Sequence, residues 1–358
     1  MGLVGVRLTY PAIAALILFA WGCQGPSDTE RPQWALVIHG GSGVIERGSL
    51  TADQEGAYRA ALSGALEAGA TVLRGGSSAL DAVESAIRVM EDDPLFNAGR
   101  GAVFTTAGSN ELDASIMDGA SLRAGAVAGV TRARHPISVA RAVMEKSLHV
   151  LLSGDGADAF ARDQGLEIVE PSYFFTERRW QQLEEALRER GEPMPARPAG
   201  VPVPTPQTRL LSAPGDMQKL GTVGVVALDS RGNLAAGTST GGTNAKRWGR
   251  VGDSPIIGAG TYAANESCAV SGTGVGEFFI RLTIAREVCA LVQYTERNVQ
   301  DAADEVIKGR LSAAKGSGGV IVLSPNGEMA WSFNTSGMYR ARMSAASPPQ
   351  ISIFADEP

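Results

Sequence analysis

Hydrophobic positions along the chain follow two periods, and each period predicts regular structure. Over residues 51–73 and 77–90 apolar side chains recur every three or four positions, which predicts two amphipathic helices. The same spacing predicts helices at 137–144, 180–190, 275–294 and 299–310, while short apolar runs predict strands at 35–38, 125–130, 223–228, 234–239, 319–323 and 328–333. Periodicity alone therefore indicates a mixed α and β protein.

Residues 191–214 interrupt this pattern. They have no hydrophobic period and are rich in proline, arginine and small residues, a composition that favours extended or disordered chain. The segment ends shortly before Gly221-Thr222, so two interpretations are open. It is a flexible surface loop, or it is the end of a subunit left by chain cleavage, which we favour with a tail near 191–221.

Composition and charge set limits on function. The chain has 358 residues, a formal net charge of −6 and 44 glycines, and its charges form no basic stripe. We therefore expect no nucleic-acid partner. Beyond the N-terminal segment the sequence holds Cys268 and Cys289, which lack the spacing of a metal site. Two buried thiols are favoured, with a disulfide as the alternative in an oxidising compartment.

The N-terminal segment has the layout of a signal peptide. One positive charge within residues 1–7 precedes an apolar run over 8–19, which is short for a membrane helix of about 20 residues. Ala20-Trp21-Gly22-Cys23 is similar to a lipoprotein cleavage box, although Trp21 stands where a small residue is usual. This layout predicts a signal peptide at 1–23, a lipid anchor at Cys23 and export to the cell envelope or periplasm. A plain signal peptide or a single anchoring helix is the alternative.

Candidate chemistry begins at Gly221-Thr222, just before the predicted strand 223–228. Cleavage of that peptide bond would make Thr222 an N-terminal residue. A free α-amino group has a pKa of about 7.7 to 8.0 and can take the proton of the neighbouring hydroxyl, so no histidine is needed. The alternative is a turn glycine that opens a buried strand.

Glycine- and threonine-rich motifs accompany this pair at 38–41, 94–104, 111–119, 237–242, 249–255, 258–262 and 271–277. With them, the chain resembles the plant-type asparaginase and isoaspartyl peptidase family of N-terminal-nucleophile hydrolases over about residues 34–339. The resemblance implies an α+β fold, a four-layer αββα sandwich in which the strand after Thr222 is central. It also implies an α subunit at 24–221 and a β subunit at 222–358, which build one catalytic domain and assemble as a dimer of α/β heterodimers.

The resemblance also implies roles for single residues. Thr222 is expected to be the nucleophile and Thr240 a helper whose hydroxyl orients or polarises it. The Thr273 hydroxyl and the Gly274 amide are expected to stabilise the transient oxyanion. Asn97 is expected to brace the site.

Arg250 and Asp253 fit a substrate with both α groups free, because a guanidinium pairs with a carboxylate and a carboxylate with an ammonium. They could instead pair with each other. The substrate-binding residues implied by the resemblance are Arg250, Val251, Gly252, Asp253, Thr273, Gly274, Val275 and Gly276.

A structural sodium ion is the one inorganic group that the resemblance implies, and no cofactor is expected for the chemistry. Its ligands would be the backbone carbonyls of Met90, Glu91, Asp93, Phe96, Ala98 and Arg100, since hard cations accept carbonyl oxygens. His39 is expected to be a structural hydrogen-bonding group at a strand end.

The sequence thus predicts an autoprocessed threonine hydrolase of L-asparagine and β-aspartyl dipeptides. Glycosylasparaginase is the alternative within the superfamily, disfavoured by Gly221 and by Gly241-Gly242. A serine hydrolase with an elbow at Ser239 is disfavoured because its histidine must follow the serine, and every histidine precedes it. A lipid-anchored solute-binding protein is the alternative of another class, and it would not need Thr222.

Overall fold

The computed structural model describes residues 1–5, 33–201 and 221–358. Cys23 and most of the predicted subunit tail lie outside the described residues. The chain divides into Met1–Arg31 and Pro32–Pro358, and the helices and strands given below all belong to the second unit.

Strands of the described residues form two sheets. They are β1 Ala35–Gly43, β2 Leu112–Asp118, β3 Ala124–Val130, β4 Leu151–Ser153, β5 Val223–Leu228, β6 Leu234–Thr240, β7 Thr261–Ala263, β8 Ala269–Gly274, β9 Gly318–Leu323, β10 Met329–Phe333, β11 Gly337–Ser344 and β12 Gln350–Phe354. The large sheet has the order β12-β11-β1-β5-β6-β2-β3-β4, and the small sheet has the order β10-β9-β8-β7. Neighbouring strands pair antiparallel except β3 and β4.

Helices cover the outer face of each sheet, and one further helix packs on the loop residues Phe104 and Ala245. They are α1 Ala52–Arg74, α2 Ala79–Asp92, α3 Pro136–Lys146, α4 Gly154–Asp163, α5 Glu177–Glu189, α6 Gly276–Leu282, α7 Ile284–Thr295 and α8 Val299–Asp304, which continues into a π-helical stretch at Glu305–Leu311. Short 3-10 turns lie at Arg47–Ser49, Gly99–Gly101 and Pro171–Phe174. Helix α2 begins where Ser78 and Asp81 form a reciprocal capping box, which satisfies free N–H groups of the first turn.

Three apolar clusters lie between successive layers. One joins α1, α2 and α3 to the large sheet, a second joins the inner faces of the two sheets, and a third joins the small sheet to α7 and α8. The order is therefore helix, sheet, sheet, helix, and the predicted four-layer sandwich is confirmed. Strand β5 is the fourth of eight in the large sheet and is buried along its whole length.

The hairpin of β5 and β6 follows the predicted strands closely. Asp229 accepts backbone N–H bonds from Arg231 and Asn233 at 3.0 Å each, and Gly232 has a φ of 89°. This turn fixes the register in which Val223 lies opposite Ser239. Thr222 and Thr240 consequently lie side by side at the same end of the hairpin.

Two sequence-based predictions fail in the last third of the chain. The single helix predicted at 275–294 is two helices, because Thr283 adopts a φ of 48° that interrupts the ladder. Cys268 and Cys289, for which thiols were favoured, form a disulfide that ties β8 to α7. Their Cα atoms are 5.3 Å apart, a separation that sequence spacing does not reveal.

Part of the predicted tail is described. Residues 191–201 form no helix or strand. Arg197 nevertheless makes two hydrogen bonds to Glu177, at 2.8 and 2.9 Å, and its guanidinium lies over the ring of Trp180. The start of the tail therefore packs on α5.

Candidate active site

Thr222 stands immediately before β5, and its hydroxyl donates a hydrogen bond to the Thr240 hydroxyl at 3.0 Å. The Thr240 oxygen also accepts the N–H of Gly242 at 3.0 Å. Two bonds to one oxygen hold Thr240 in place, so its hydroxyl faces Thr222 in a fixed orientation.

A small, partly open pocket lies over this pair of threonines. Its lining comes from the strand ends and from the loop after β6, namely Gly221, Thr222, Thr240, Gly242, Thr243, Arg250, Gly252, Asp253, Ser254 and Gly274. The structure thus brings together the predicted cleavage site, the helper threonine, the charged pair and the oxyanion amide. Of the residues predicted to bind substrate, Val251, Thr273, Val275 and Gly276 are not among these lining residues.

Arg250 and Asp253 do not pair with each other as the alternative interpretation required. Arg250 donates to both carboxylate oxygens of Glu277, at 3.0 and 3.1 Å. The Asp253 side chain is buried, and its Oδ2 atom has no hydrogen-bond partner within the described residues. Asp253 lines the pocket, and a carboxylate there suits a cationic group of a ligand.

Asp253 is unusually basic for a carboxylate. Burial raises its pKa to about 7; a backbone hydrogen bond and the Arg250 charge oppose the shift, and the charges of Glu277 and Asp113 add to it. Gly276 packs directly on this pair, because a Cβ there would lie 2.8 Å from both Arg250 Nη2 and Asp253 Oδ1. Only glycine leaves room for both charged groups.

Thr273 and Gly274 end strand β8 beside the pocket. The Thr273 hydroxyl accepts the N–H of Ser42 at 3.3 Å, and the Ser42 hydroxyl donates to the Thr273 carbonyl at 3.2 Å. These bonds orient the threonine from the end of β1. Gly272 packs on Phe279, since a Cβ there would lie 2.8 Å from its ring.

Asn97 connects the loop before β2 to the end of β6. Its Nδ2 donates to the Gly242 carbonyl at 2.8 Å, its Oδ1 accepts the Val103 N–H at 2.9 Å, and its own carbonyl accepts the Gly241 N–H at 3.0 Å. Two of these bonds fix the glycine pair beside Thr240, and the third holds the Asn97 side chain to its own loop.

The carbonyls expected to bind sodium lie at the end of α2 and in the following loop. Met90 and Glu91 belong to the last turn of the helix, where carbonyls lack intrahelical partners and the dipole attracts cations. The Asp93 and Ala98 carbonyls accept one N–H bond each, from Phe96 and Gly101, and a carbonyl has a second lone pair. The donor chemistry at this turn fits a hard monovalent cation. Within the described residues no cluster of His, Cys, Asp or Glu side chains could hold a metal ion.

His39 lies in β1, against Thr222. Its Nδ1 is 3.1 Å from the Thr222 carbonyl oxygen, and complete burial lowers the pKa of the imidazole to about 3. The ring is therefore neutral and acts through hydrogen bonds.

Some lining and neighbouring residues had no role at the sequence level. Glu277 and Ser254 lie within motifs of the sequence, but no function was predicted for either. Thr243 lies directly after a motif. Lys246 is buried and donates to the Glu111 carbonyl at 2.9 Å, and it lies between two motifs and in neither. Three-dimensional contacts alone reveal these residues.

Comparisons with known proteins agree with this geometry. The family model described as asparaginase matches residues 32–353. An isoaspartyl peptidase of Salmonella typhimurium is 48% identical over 321 residues, which cover 90% of this chain and 98% of the relative. The Escherichia coli isoaspartyl peptidase is 47% identical with 90% and 96% covered, and a plant-type L-asparaginase of Pyrococcus abyssi is 42% identical with 86% and 96% covered. None of these three is named a glycosylasparaginase or a solute-binding protein, so neither alternative is favoured.

The comparisons also correct the interpretation of the N-terminal segment. The two bacterial peptidases are aligned over nearly their whole length and are not named as lipoproteins. No helix in the described part of the chain is long and apolar enough to cross a membrane. The relatives, and not the lack of such a helix in the described part, contradict the predicted signal peptide at 1–23, the lipid anchor at Cys23 and export to the envelope, and these predictions are wrong. The prediction rested on a short apolar run and on a cleavage box that Trp21 does not fit.

Proposed function

Because the chain belongs to the asparaginase family, we propose that it is a threonine hydrolase that cleaves L-asparagine and β-aspartyl dipeptides, with Thr222 as the nucleophile. The observation that carries this proposal is the 3.0 Å contact between the Thr222 and Thr240 hydroxyls in a pocket that also presents Arg250 and Asp253. The nucleophile would then lie beside two side chains that can bind the α-carboxylate and the α-ammonium of one substrate.

Processing would come first. The Thr222 hydroxyl attacks the Gly221 carbonyl, the peptide C–N bond breaks, and the proton passes to the Thr222 nitrogen. Water then opens the ester, which leaves a carboxylate on Gly221 and a free amine on Thr222. A side chain at residue 221 would be crowded, because a Cβ there would lie 3.0 Å from Asn97 Cβ.

Turnover would use the same hydroxyl. The Thr222 amine takes the hydroxyl proton while the oxygen attacks the side-chain carbonyl of the substrate, and the Thr273 hydroxyl with the Gly274 N–H would stabilise the oxyanion. The leaving amine departs with the proton, and a β-aspartyl ester forms on Thr222. Water, deprotonated by the Thr222 amine, hydrolyses this ester.

Two further features remain predictions. A sodium ion at the end of α2 would hold the loop that carries Asn97, and its ligands would be the six carbonyls named above. The dimer of α/β heterodimers would be checked by sedimentation of the cleaved protein.

Variants of Thr222 test the proposal. Wild-type protein should separate under denaturing conditions into two chains, the smaller beginning at Thr222. Thr222→Ala should remain one inactive chain, because it lacks the attacking oxygen. Thr222→Ser, the matched control, should be cut and should turn over slowly. Assay of each protein on asparagine and a panel of β-aspartyl dipeptides supplies the measurement, and an active, uncut Thr222→Ala protein would contradict the proposal.

A further inference from the structure

A chain of hydrogen bonds runs between the two sheets and ends on the nucleophile. From Thr222 it passes through His39 to Ser271, whose hydroxyl is 3.0 Å from His39 Nε2. It continues to Thr238 at 2.6 Å and to Thr261 at 2.6 Å. Ser115, 2.8 Å from Thr261, is the last side chain, and it donates to the Ser254 carbonyl at 2.6 Å. All five side chains of the chain, from His39 to Ser115, are completely buried.

The chemistry of the groups fixes the direction of these bonds. A carbonyl oxygen only accepts, so His39 Nδ1 carries the hydrogen, and in a neutral ring Nε2 then accepts from Ser271. Having used its hydrogen, Ser271 accepts from Thr238, and Thr238 in turn accepts from Thr261. The four bonds from Thr261 to the Thr222 carbonyl thus all point toward that carbonyl, and bonds in such a chain polarise one another. Ser115 has one hydrogen for two acceptors, the Thr261 hydroxyl and the Ser254 carbonyl.

Gly224 makes room for the crossing. A Cβ on this residue would lie 1.9 Å from Ser271 Oγ and 2.2 Å from His39 Nε2, so any side chain would break the chain at its second bond. This explains the second glycine of the Gly221-Thr222-Val223-Gly224 motif. Strand β5 thus carries no side chain at Gly224, where His39 contacts Ser271.

The surroundings show that burial alone did not require polar groups here. The space between the sheets is otherwise filled by apolar side chains such as Val226, Ala236 and Ile321. Burying hydroxyls and an imidazole is costly unless all are hydrogen-bonded, and apolar residues would fill the space more cheaply. The chain reaches the pocket at two points, the Thr222 carbonyl and Ser254 next to Asp253.

We infer that this chain positions the nucleophile: His39 holds the Thr222 residue by its carbonyl, and Ser271, Thr238, Thr261 and Ser115 hold His39 in the required tautomer. This inference rests on the proposed role of Thr222. His39 touches no reacting atom and is a positioning residue. It fixes the direction of the Thr222 hydroxyl and amine relative to Thr240.

Paired substitutions at residue 39 test the inference. The amide nitrogen of Asn occupies the place of Nδ1, whereas that of Gln reaches the place of Nε2. His39→Asn should retain kcat within about fivefold because the donor to Thr222 survives. His39→Gln should lose about 100-fold in kcat with KM nearly unchanged, because a misplaced reacting group costs that much. Turnover is expressed per chain with a Thr222 N-terminus, and the melting temperature of each variant is recorded.

Ser271→Ala and Ser332→Ala form a second pair, which decides the matter if residue 39 does not tolerate change. Ser332 is a buried serine of the same sheet whose hydroxyl donates to Asp304 at 2.6 Å, outside the chain. Both variants should lower the melting temperature, but only Ser271→Ala should lower kcat, by about tenfold.

Three outcomes would overturn the inference: wild-type kcat in Ser271→Ala, equal kcat in the two serine variants, or equal losses in His39→Asn and His39→Gln. None of these touches the proposed function, which fails separately if Thr222→Ala is active.

Discussion

Thr222, the proposed nucleophile, and Arg250 and Asp253, the proposed substrate-binding pair, line one pocket, yet they are held by different kinds of groups. Thr222 is held by neutral groups, through Thr240 and through the completely buried His39. Arg250 is held by a charge, Glu277, whose side chain is 56% exposed. Charged contacts near solvent respond to salt and pH, whereas a buried neutral chain does not. We therefore expect the position of Thr222 to be insensitive to salt and pH. Substrate binding by Arg250 should respond to both.

Burial has opposite consequences for the two ionisable groups that define these regions. It lowers the pKa of His39 to about 3 and raises the pKa of Asp253 to about 7. Both shifts favour the neutral form, but only Asp253 must be charged to bind an ammonium. A neutral His39 therefore suits its hydrogen bond to Thr222, whereas a neutral Asp253 would not bind a substrate ammonium.

Among changes to the proposed substrate-binding groups, removing the Arg250 cation is expected to have the largest effect. Arg250→Ala loses a charge-assisted interaction of about 1.5 to 3 kcal/mol with the α-carboxylate, which corresponds to roughly ten-fold or more in kcat/KM. Chain cleavage should continue, because Thr222 and Thr240 are untouched. Steady-state assay on asparagine and a denaturing gel give the two readouts.

Arg250→Lys is the matched control for that change. It keeps the charge but lacks the fork that binds a carboxylate through two bonds, so it should recover only part of the loss. Unchanged kinetics in Arg250→Ala would remove Arg250 from the site.

Asp253→Asn should separate function from stability. The folded-state pKa of Asp253 lies above its usual value of 3.8, so the folded protein holds a proton that the unfolded chain releases. Stability is therefore lost as the pH rises from about 4 to about 7, and the ionised form opposes folding above that range. The variant should melt a few degrees higher at pH 8, with the gain shrinking toward pH 4.

The same substitution should weaken substrate binding. In the wild type KM should rise as the pH falls through about 7, because a proton then competes with the substrate ammonium for the carboxylate. Asp253→Asn should have a high KM without this dependence. A variant that melts lower at pH 8 would show that the Asp253 charge stabilises the fold.

The hydrophobic pattern predicted the strand that follows Thr222 and missed the strand that contains Thr273. Strand β5 was predicted with its observed bounds because six apolar residues end at an Asp-containing turn. Strand β8 was not predicted, because Ser271-Gly272-Thr273-Gly274 is polar and glycine-rich, and its burial depends on partners such as His39 and Ser42 that are distant in sequence. Contacts of this kind have no local signature.

Replacing Glu277, which accepts the hydrogen bonds of Arg250, is expected to have the smallest effect. The pKa of Glu277 is lowered, chiefly by its hydrogen bond to Arg250, so the pair is charged at neutral pH. Exposed ion pairs contribute about 0.2 to 1 kcal/mol, so Glu277→Gln should raise KM at most about fivefold and leave kcat unchanged, because the guanidinium fork is held less firmly. Added salt should shrink the difference from wild type. A lower KM in the variant would instead mean that Glu277 competes with the substrate carboxylate for Arg250. A lower kcat would mean that a change at Arg250 also alters the position of Thr222.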